Sequence, residues 1–220
     1  KINFSDYRLL TNYFNLQEEG KMQMRFSPQA PIKFYLGGYG DMAMEIARKY
    51  MDGVLIGGMY LPLLRARKIN ELYAKLNSKE PPVRLADPLL WAEINVSVDP
   101  DYKTAMEFPK PYVAHALMTL KKTGFSDLDF QSVGVKPANV AKIYDAFNNG
   151  STIQEAAKLV TEEMVNATFI AGDVDTCIEG LAQCFESDET QQLKQVVLAK
   201  LGPNYSQSIK TLSRDVLPSL

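Results

Sequence analysis

Histidine, cysteine and tryptophan are scarce in this 220-residue chain, which holds one histidine, two cysteines and one tryptophan. His115, Cys177 and Cys184 are too few to build a Cys/His zinc site or a histidine-rich centre, so no metal site is expected. With one histidine and no G-x-S-x-G, no nucleophile can be paired with a base, which excludes hydrolysis by a triad. Cys177 and Cys184 fall on one face of a helical pattern, about two turns apart and too distant for a mutual disulfide, and are expected as reduced, buried thiols. No apolar run approaches the ~20 residues that cross a bilayer, and the N-terminus has no basic stretch followed by an apolar segment, so a membrane location is not expected and a cytoplasmic one is. There is no excess of basic charge either. Lys plus Arg total 24 against 26 for Asp plus Glu, a net charge of -2, which leaves no footprint for nucleic acid. What is present is a 46% hydrophobic composition, ample for a buried core. The chain begins at Lys1 rather than Met, and an excised or processed piece is expected.

Residues 1–30 alternate loosely around Phe4, Tyr7, Tyr13 and Phe14 and read as a hairpin or insertion segment. From residue 31 the pattern becomes regular. Ile32 to Leu36 reads as a buried strand, Gly37-Gly38-Tyr39-Gly40 as a turn, and Asp41 to Met51 as a helix with Asp41 as its N-cap. Gly53 to Ile56 is a second strand, followed by Gly57-Gly58 and a helix from Leu61 to Asn77. Leu89 to Val98 is a third strand, and Tyr102 to Leu120 is helical apart from an interruption at Pro109 and Pro111. Helical patterns cover Pro137 to Phe147, Ser151 to Asn166, where Ser151 and Gln154 form a capping-box pair, and Asp173 to Phe185. A fourth strand, Leu193 to Ala199, precedes a last helix from Tyr205 to Val216.

Short apolar strands alternating with amphipathic helices imply parallel strands joined by right-handed crossovers, an α/β architecture. In the third strand Ile94, Val96 and Val98 share one face while Glu93, Asn95 and Ser97 share the other. A carboxylate on an inner sheet face points to a barrel lumen lined with chemistry; an exposed edge strand is the other reading. Parallel α/β folds place ligands where strands end, so the loops of interest are Gly37 to Asp41, Gly57 to Tyr60, Asp99 to Asp101 and Lys200 to Asn204. Gly37, Gly38 and Gly40 open a helix, where unobstructed backbone N–H groups and the helix dipole suit a phosphate, although GGYG also serves as a plain tight turn. Lys200 before Gly202-Pro203-Asn204 sets a cation beside a helix start, or is a solvated lysine at a strand end. His115 reads as a packed or half-exposed helix residue rather than a base. Met42 alone among the paired methionines is placed to touch a ligand. A phosphate-bearing cofactor with its own reactivity is the chemistry left open.

Four segments together resemble the bacterial-luciferase-like superfamily, within it the branch of coenzyme F420-dependent methylene-tetrahydromethanopterin reductases: Phe34 to Gly58, Glu93 to Asp101, Leu159 to Gly172 and Gln195 to Asn204. The segment INFSDYRLLTNY also resembles the small hairpin that precedes this region in the family. The resemblance implies the later half of a (β/α)8 TIM barrel over residues 31–220, with the N-terminal barrel half missing as a partner. It implies contacts of F420, or alternatively FMN, with Gly37, Gly38, Tyr39, Gly40 and Met42. The family's acid-base residues come from earlier strands, so no catalytic residue is assigned. The implied activity is hydride transfer between a deazaflavin and a one-carbon pterin or a similar small-molecule substrate. An FMN-dependent monooxygenase of the same superfamily is the near alternative, and a non-catalytic half-barrel binding module is the alternative of another class. Half a barrel exposes a sheet edge, so the 220-residue chain is expected to associate into oligomers.

Overall fold

A computed structural model of the chain describes residues 33–76, 89–191 and 193–220. The chain divides into two units, Lys1–Lys33 and Phe34–Leu220, and every described helix and strand belongs to the second. The hairpin or insertion expected over 1–30 and the residue Ile32 lie outside the described residues.

The elements run in order β1 (Tyr35–Gly37), α1 (Asp41–Tyr50), β2 (Gly53–Ile56), α2 (Tyr60–Arg65), α3 (Ile69–Leu76), β3 (Leu89–Val98), α4 (Tyr102–Glu107), α5 (Lys110–Lys122), α6 (Asp127–Ser132), α7 (Pro137–Asn148), α8 (Ile153–Ala157), α9 (Glu162–Thr168), β4 (Ile170–Gly172), α10 (Val174–Phe185), α11 (Asp188–Gln191), β5 (Gln195–Ala199) and α12 (Tyr205–Thr211). After α12 the chain continues as a π-helical turn, Leu212–Val216. Among the described residues every strand pairing is parallel. The fold is thus the parallel α/β arrangement expected, with crossover helices between the strands.

β3 is the hub. One of its edges pairs with β2 along Leu89 to Ala92 and then with β4 along Val96 to Val98. Its other edge pairs with β5 along Trp91 to Asn95. The parity of the backbone bonds separates the two edges: Val98 N–H donates to Leu201 O beyond β5, while Asp99 N–H donates to Gly172 O at the end of β4. A central position excludes the edge-strand reading of Glu93. Ile94 and Val96 are fully buried and Val98 nearly so, as a strand face roofed by helices requires. Each such side chain contributes roughly 1.5–3 kcal/mol of burial.

Several boundaries differ from the sequence reading. β1 starts at Tyr35, and Phe34 is 56% exposed instead of buried. Gly40, not Asp41, is the N-cap of α1, because Gly40 holds the extended φ of -71° and ψ of 162° while Asp41 is already helical. The single helix expected over Leu61 to Asn77 is two, since Arg67 takes a left-handed φ of 56° that no helix continues through. The break is silent in the hydrophobic pattern because Leu61 and Leu64 on one side and Ile69, Leu72 and Leu76 on the other are all buried. The Ser151 to Asn166 helix is likewise divided into α8 and α9, and its capping box is formed by Thr152 and Glu155, one residue later than Ser151 and Gln154. Helix α6, with its own Ser126–Asp129 capping box, has no counterpart in the sequence reading, and neither has β4. A three-residue strand carries no readable period. The strand expected as the fourth is therefore the fifth, and it starts at Gln195 rather than Leu193. Among the described residues no helix is long and apolar enough to cross a membrane.

Candidate active site at the strand carboxyl ends

The polar face of β3 looks into a cavity of about 670 Å³ that Gly58, Met59, Glu93, Asn95, Tyr112 and Lys200 help to line. Its position follows from the topology: Gly58 and Met59 follow β2, Lys200 follows β5, and Tyr112 comes from α5, which supplies another wall of the cavity. This volume suits a drug-sized or cofactor-sized ligand.

Three polar groups of β3 have different fates. The Ser97 hydroxyl donates to Ala105 O at 2.7 Å and is closed off. Asn95, 4% exposed, donates from Nδ2 to Gly58 O at 3.1 Å, and its Oδ1 has no hydrogen-bond partner. Gly58 must stay small there, since a Cβ would lie 2.6 Å from Asn95 Nδ2. Glu93 Oε1 accepts from Lys200 Nζ at 3.1 Å, and the same ammonium stands 5.8 Å from the centre of the Tyr112 ring. A cation over an aromatic face gains from the ring quadrupole. One wall of the cavity is therefore a neutral ion pair, and Met59, Phe108 and Pro111 supply an apolar one. His115 on α5 is exposed and lines the cavity as well, closer to the site than its helical setting indicated.

The glycine loop sits at the carboxyl end of β1, with Gly37 exposed and Gly38 to Gly40 half-buried. Gly38 N–H donates to Leu55 O at 3.1 Å and so extends the pairing with β2. Its φ of 152° favours glycine, and a Cβ would meet Ala43 Cβ at 3.1 Å. Gly37 and Gly40 are different: a Cβ on either meets nothing within 4 Å, so local packing does not demand glycine at those two positions. Both positions face open space on the rim. Asp41 in the first turn of α1 would oppose an anion, but its carboxylate is paired with Lys75 Nζ at 2.6 Å. Tyr39 hydrogen-bonds Thr123 at the end of α5 at 2.5 Å. Burial pushes its hydroxyl pKa up, partly offset by that bond.

Of the five residues expected to touch a cofactor, Tyr39 and Gly40 line a second, smaller cavity of about 210 Å³ together with Lys68, Lys75 and Thr123. Gly37, Gly38 and Met42 line neither of these two cavities, and Met42 is 76% exposed. The loop and the larger cavity thus share the strand-end rim without sharing wall residues. Sequence reasoning placed Glu93, Lys200 and His115 separately but not together. Met59 fell within the loop of interest Gly57 to Tyr60, whereas Phe108 and Ile153 carried no signal, since apolar residues lining a ligand cavity have the same pattern as core.

The fold and cavity define a class: a parallel α/β protein with a cavity at the strand carboxyl ends and a glycine-rich rim beside it. Residues 10–190 match the family described as luciferase-like monooxygenase, and the chain belongs to that family. It is 28% identical over 189 residues to 5,10-methylenetetrahydromethanopterin reductase of Methanopyrus kandleri, a match covering 85% of this chain and 50% of that protein. It is 26% identical over 201 residues to the reductase of the same name from Archaeoglobus fulgidus, covering 90% and 57%. Among solved structures, the coenzyme F420-dependent tetrahydromethanopterin reductase of Methanopyrus kandleri superposes with a TM-score of 0.61 at 25% identity, over 85% of this chain and 50% of that one. An F420-dependent secondary alcohol dehydrogenase in complex with an F420-acetone adduct shares the fold, with a TM-score of 0.58 at 16% identity over 91% of this chain and 52% of that one. The chain spans about half the length of the curated relatives it matches. It corresponds to about half of a luciferase-like (β/α)8 barrel.

Proposed function

We propose that this chain is part of an F420-dependent oxidoreductase that moves a hydride between the deazaflavin and a one-carbon pterin or a similar small substrate. The reading rests on the cavity over the polar face of β3, whose apolar and ion-pair walls suit flat heterocycles. The names of the relatives supply the coenzyme and substrate class. When bound, the deazaflavin supplies the hydride chemistry. The chain's own residues contribute position and dryness. Met59, Phe108 and Pro111 exclude water from the ring space, and Gly37, Gly38, Tyr39 and Gly40 offer backbone to the phosphate-bearing tail. Met42 would lie against that tail from the exposed side of α1. The remaining barrel strands complete the site.

Titrating the protein with F420 and with FMN, each followed by fluorescence, tests the reading. F420 is expected to bind and FMN to bind at least tenfold more weakly. Gly37→Val is expected to cut F420 affinity about tenfold with the melting temperature unchanged, because valine suits a strand and nothing lies within 4 Å of its Cβ. Tight FMN binding with oxygen consumption, and none with F420, would make the monooxygenase reading correct. A folded protein that binds neither would return the chain to a non-catalytic module.

A further inference from the structure

The ion pair on the cavity wall is not accounted for by stability. The side chains of Glu93 and Lys200 are 20% and 36% exposed, and in a partly buried pair the desolvation of both charges offsets their attraction, so it adds little to the fold. Yet Lys200 is held at a left-handed φ of 61°, which besides Lys200 only Arg67 adopts among the described non-glycine residues. That conformation is unfavourable for a residue with a Cβ and persists where the surroundings impose it. It delivers the ammonium to the cavity, beside the Tyr112 ring.

The pair also has a definite recognition chemistry. With the ammonium and carboxylate 3.1 Å apart the charges cancel, so a bare anion meets Glu93 and a bare cation meets Lys200. What remains is an adjacent donor and acceptor. Lys200 has two further N–H donors, and Glu93 has a second carboxylate oxygen. Beside them Asn95 Oδ1 is buried without a partner, a third polar atom of the same wall. The exposed Tyr112 ring lines the same cavity and offers an aromatic surface to a flat ligand. We propose that Glu93 and Lys200 together read the N–H/C=O edge of a planar cyclic amide, Glu93 accepting from the ring N–H and Lys200 donating to the ring carbonyl. Pterin and deazaflavin rings both carry this edge, so the inference rests on the proposed function only for which ring it is.

Lumazine and 1,3-dimethyllumazine, which share both ring carbonyls while only lumazine carries the ring N–H donors beside them, are the probes. The full chain is expected to bind lumazine about tenfold more tightly, since a site built to hydrogen-bond a donor rejects the analogue lacking it. Glu93→Leu is expected to bring the ratio close to one. Lys200→Gly, which suits a φ of 61°, is expected to weaken both ligands about tenfold without lowering the melting temperature. Equal binding of the two lumazines, binding of neither, or unchanged affinity in Lys200→Gly would overturn the proposal. Competition by tetrahydromethanopterin or by F420 identifies the ring that occupies the wall. Intact F420 binding without lumazine discrimination removes this inference alone, whereas discrimination without F420 binding removes the coenzyme reading alone.

Discussion

Cys177 and Cys184 illustrate how burial sets chemistry residue by residue. They are 0% and 5% exposed on the inner side of α10. Burial, helped by the nearby Asp173 carboxylate, pushes the Cys177 thiol up to about 12, and burial raises Cys184 against the opposing charge of Arg65. Both thiols stay protonated at pH 8, and the thiolate is the reactive form. Neither is expected to react with an aromatic disulfide reagent at pH 8 in the native protein, and both are expected to react in strong denaturant. Rapid labelling without denaturant would contradict this. The sequence alone was enough for that expectation, because their spacing placed both on one helix face. It did not reveal that Tyr39 is tied to Thr123, a contact across 84 residues that no local pattern encodes.

At the scale of elements, packing and propensity compete in α10. Gly180 lies inside this helix, where alanine would ordinarily stabilise by about 1 kcal/mol. A Cβ there would sit 2.7 Å from Ile170 Cγ2, and Ile170 is 4% exposed, with little room to move. Overpacking of this kind costs about 1–3 kcal/mol, so the clash wins. Gly180→Ala is expected to lower stability in urea unfolding, and Ile170→Ala in the same chain to cost less than it does alone. The same junction explains why β4 was illegible: Ile170, Ala171 and Gly172 become a strand only because β3 presents its edge to them. By contrast, β2 and β3 were legible to the residue, since their apolar runs are bounded by Gly57-Gly58 and by Asp99-Pro100. Helix breaks at Arg67 and between α8 and α9 were not, because the buried stripe runs on across both.

For the whole molecule the sheet edges matter most. Among the described residues β1 pairs only with β2 and β5 only with β3. Beside β1, Phe34 is 56% exposed, and Met42, Ile46 and Tyr50, spaced four apart on α1, are 76%, 37% and 57% exposed. A strand with one paired edge among the described residues, flanked by an apolar helix stripe, invites association. The 220-residue chain on its own is expected to form larger species as concentration rises, seen by light scattering. Met42→Lys with Ile46→Lys is expected to reduce this without loss of secondary structure. A concentration-independent monomer would count against it.

By itself the sequence determined the architecture, through four apolar strands of four to ten residues alternating with amphipathic helices, and it marked the glycine rim and the two-faced third strand. Those features are local, set by neighbours a few positions apart. Only the tertiary structure decided that Glu93 meets Lys200 across 107 residues, that Asn95 presses on Gly58, and that α5 brings Tyr112 and His115 over the same cavity. Side chains far apart in the chain converge because parallel strands all end on one side of the sheet, and that convergence is a property of strand order, which no periodicity records.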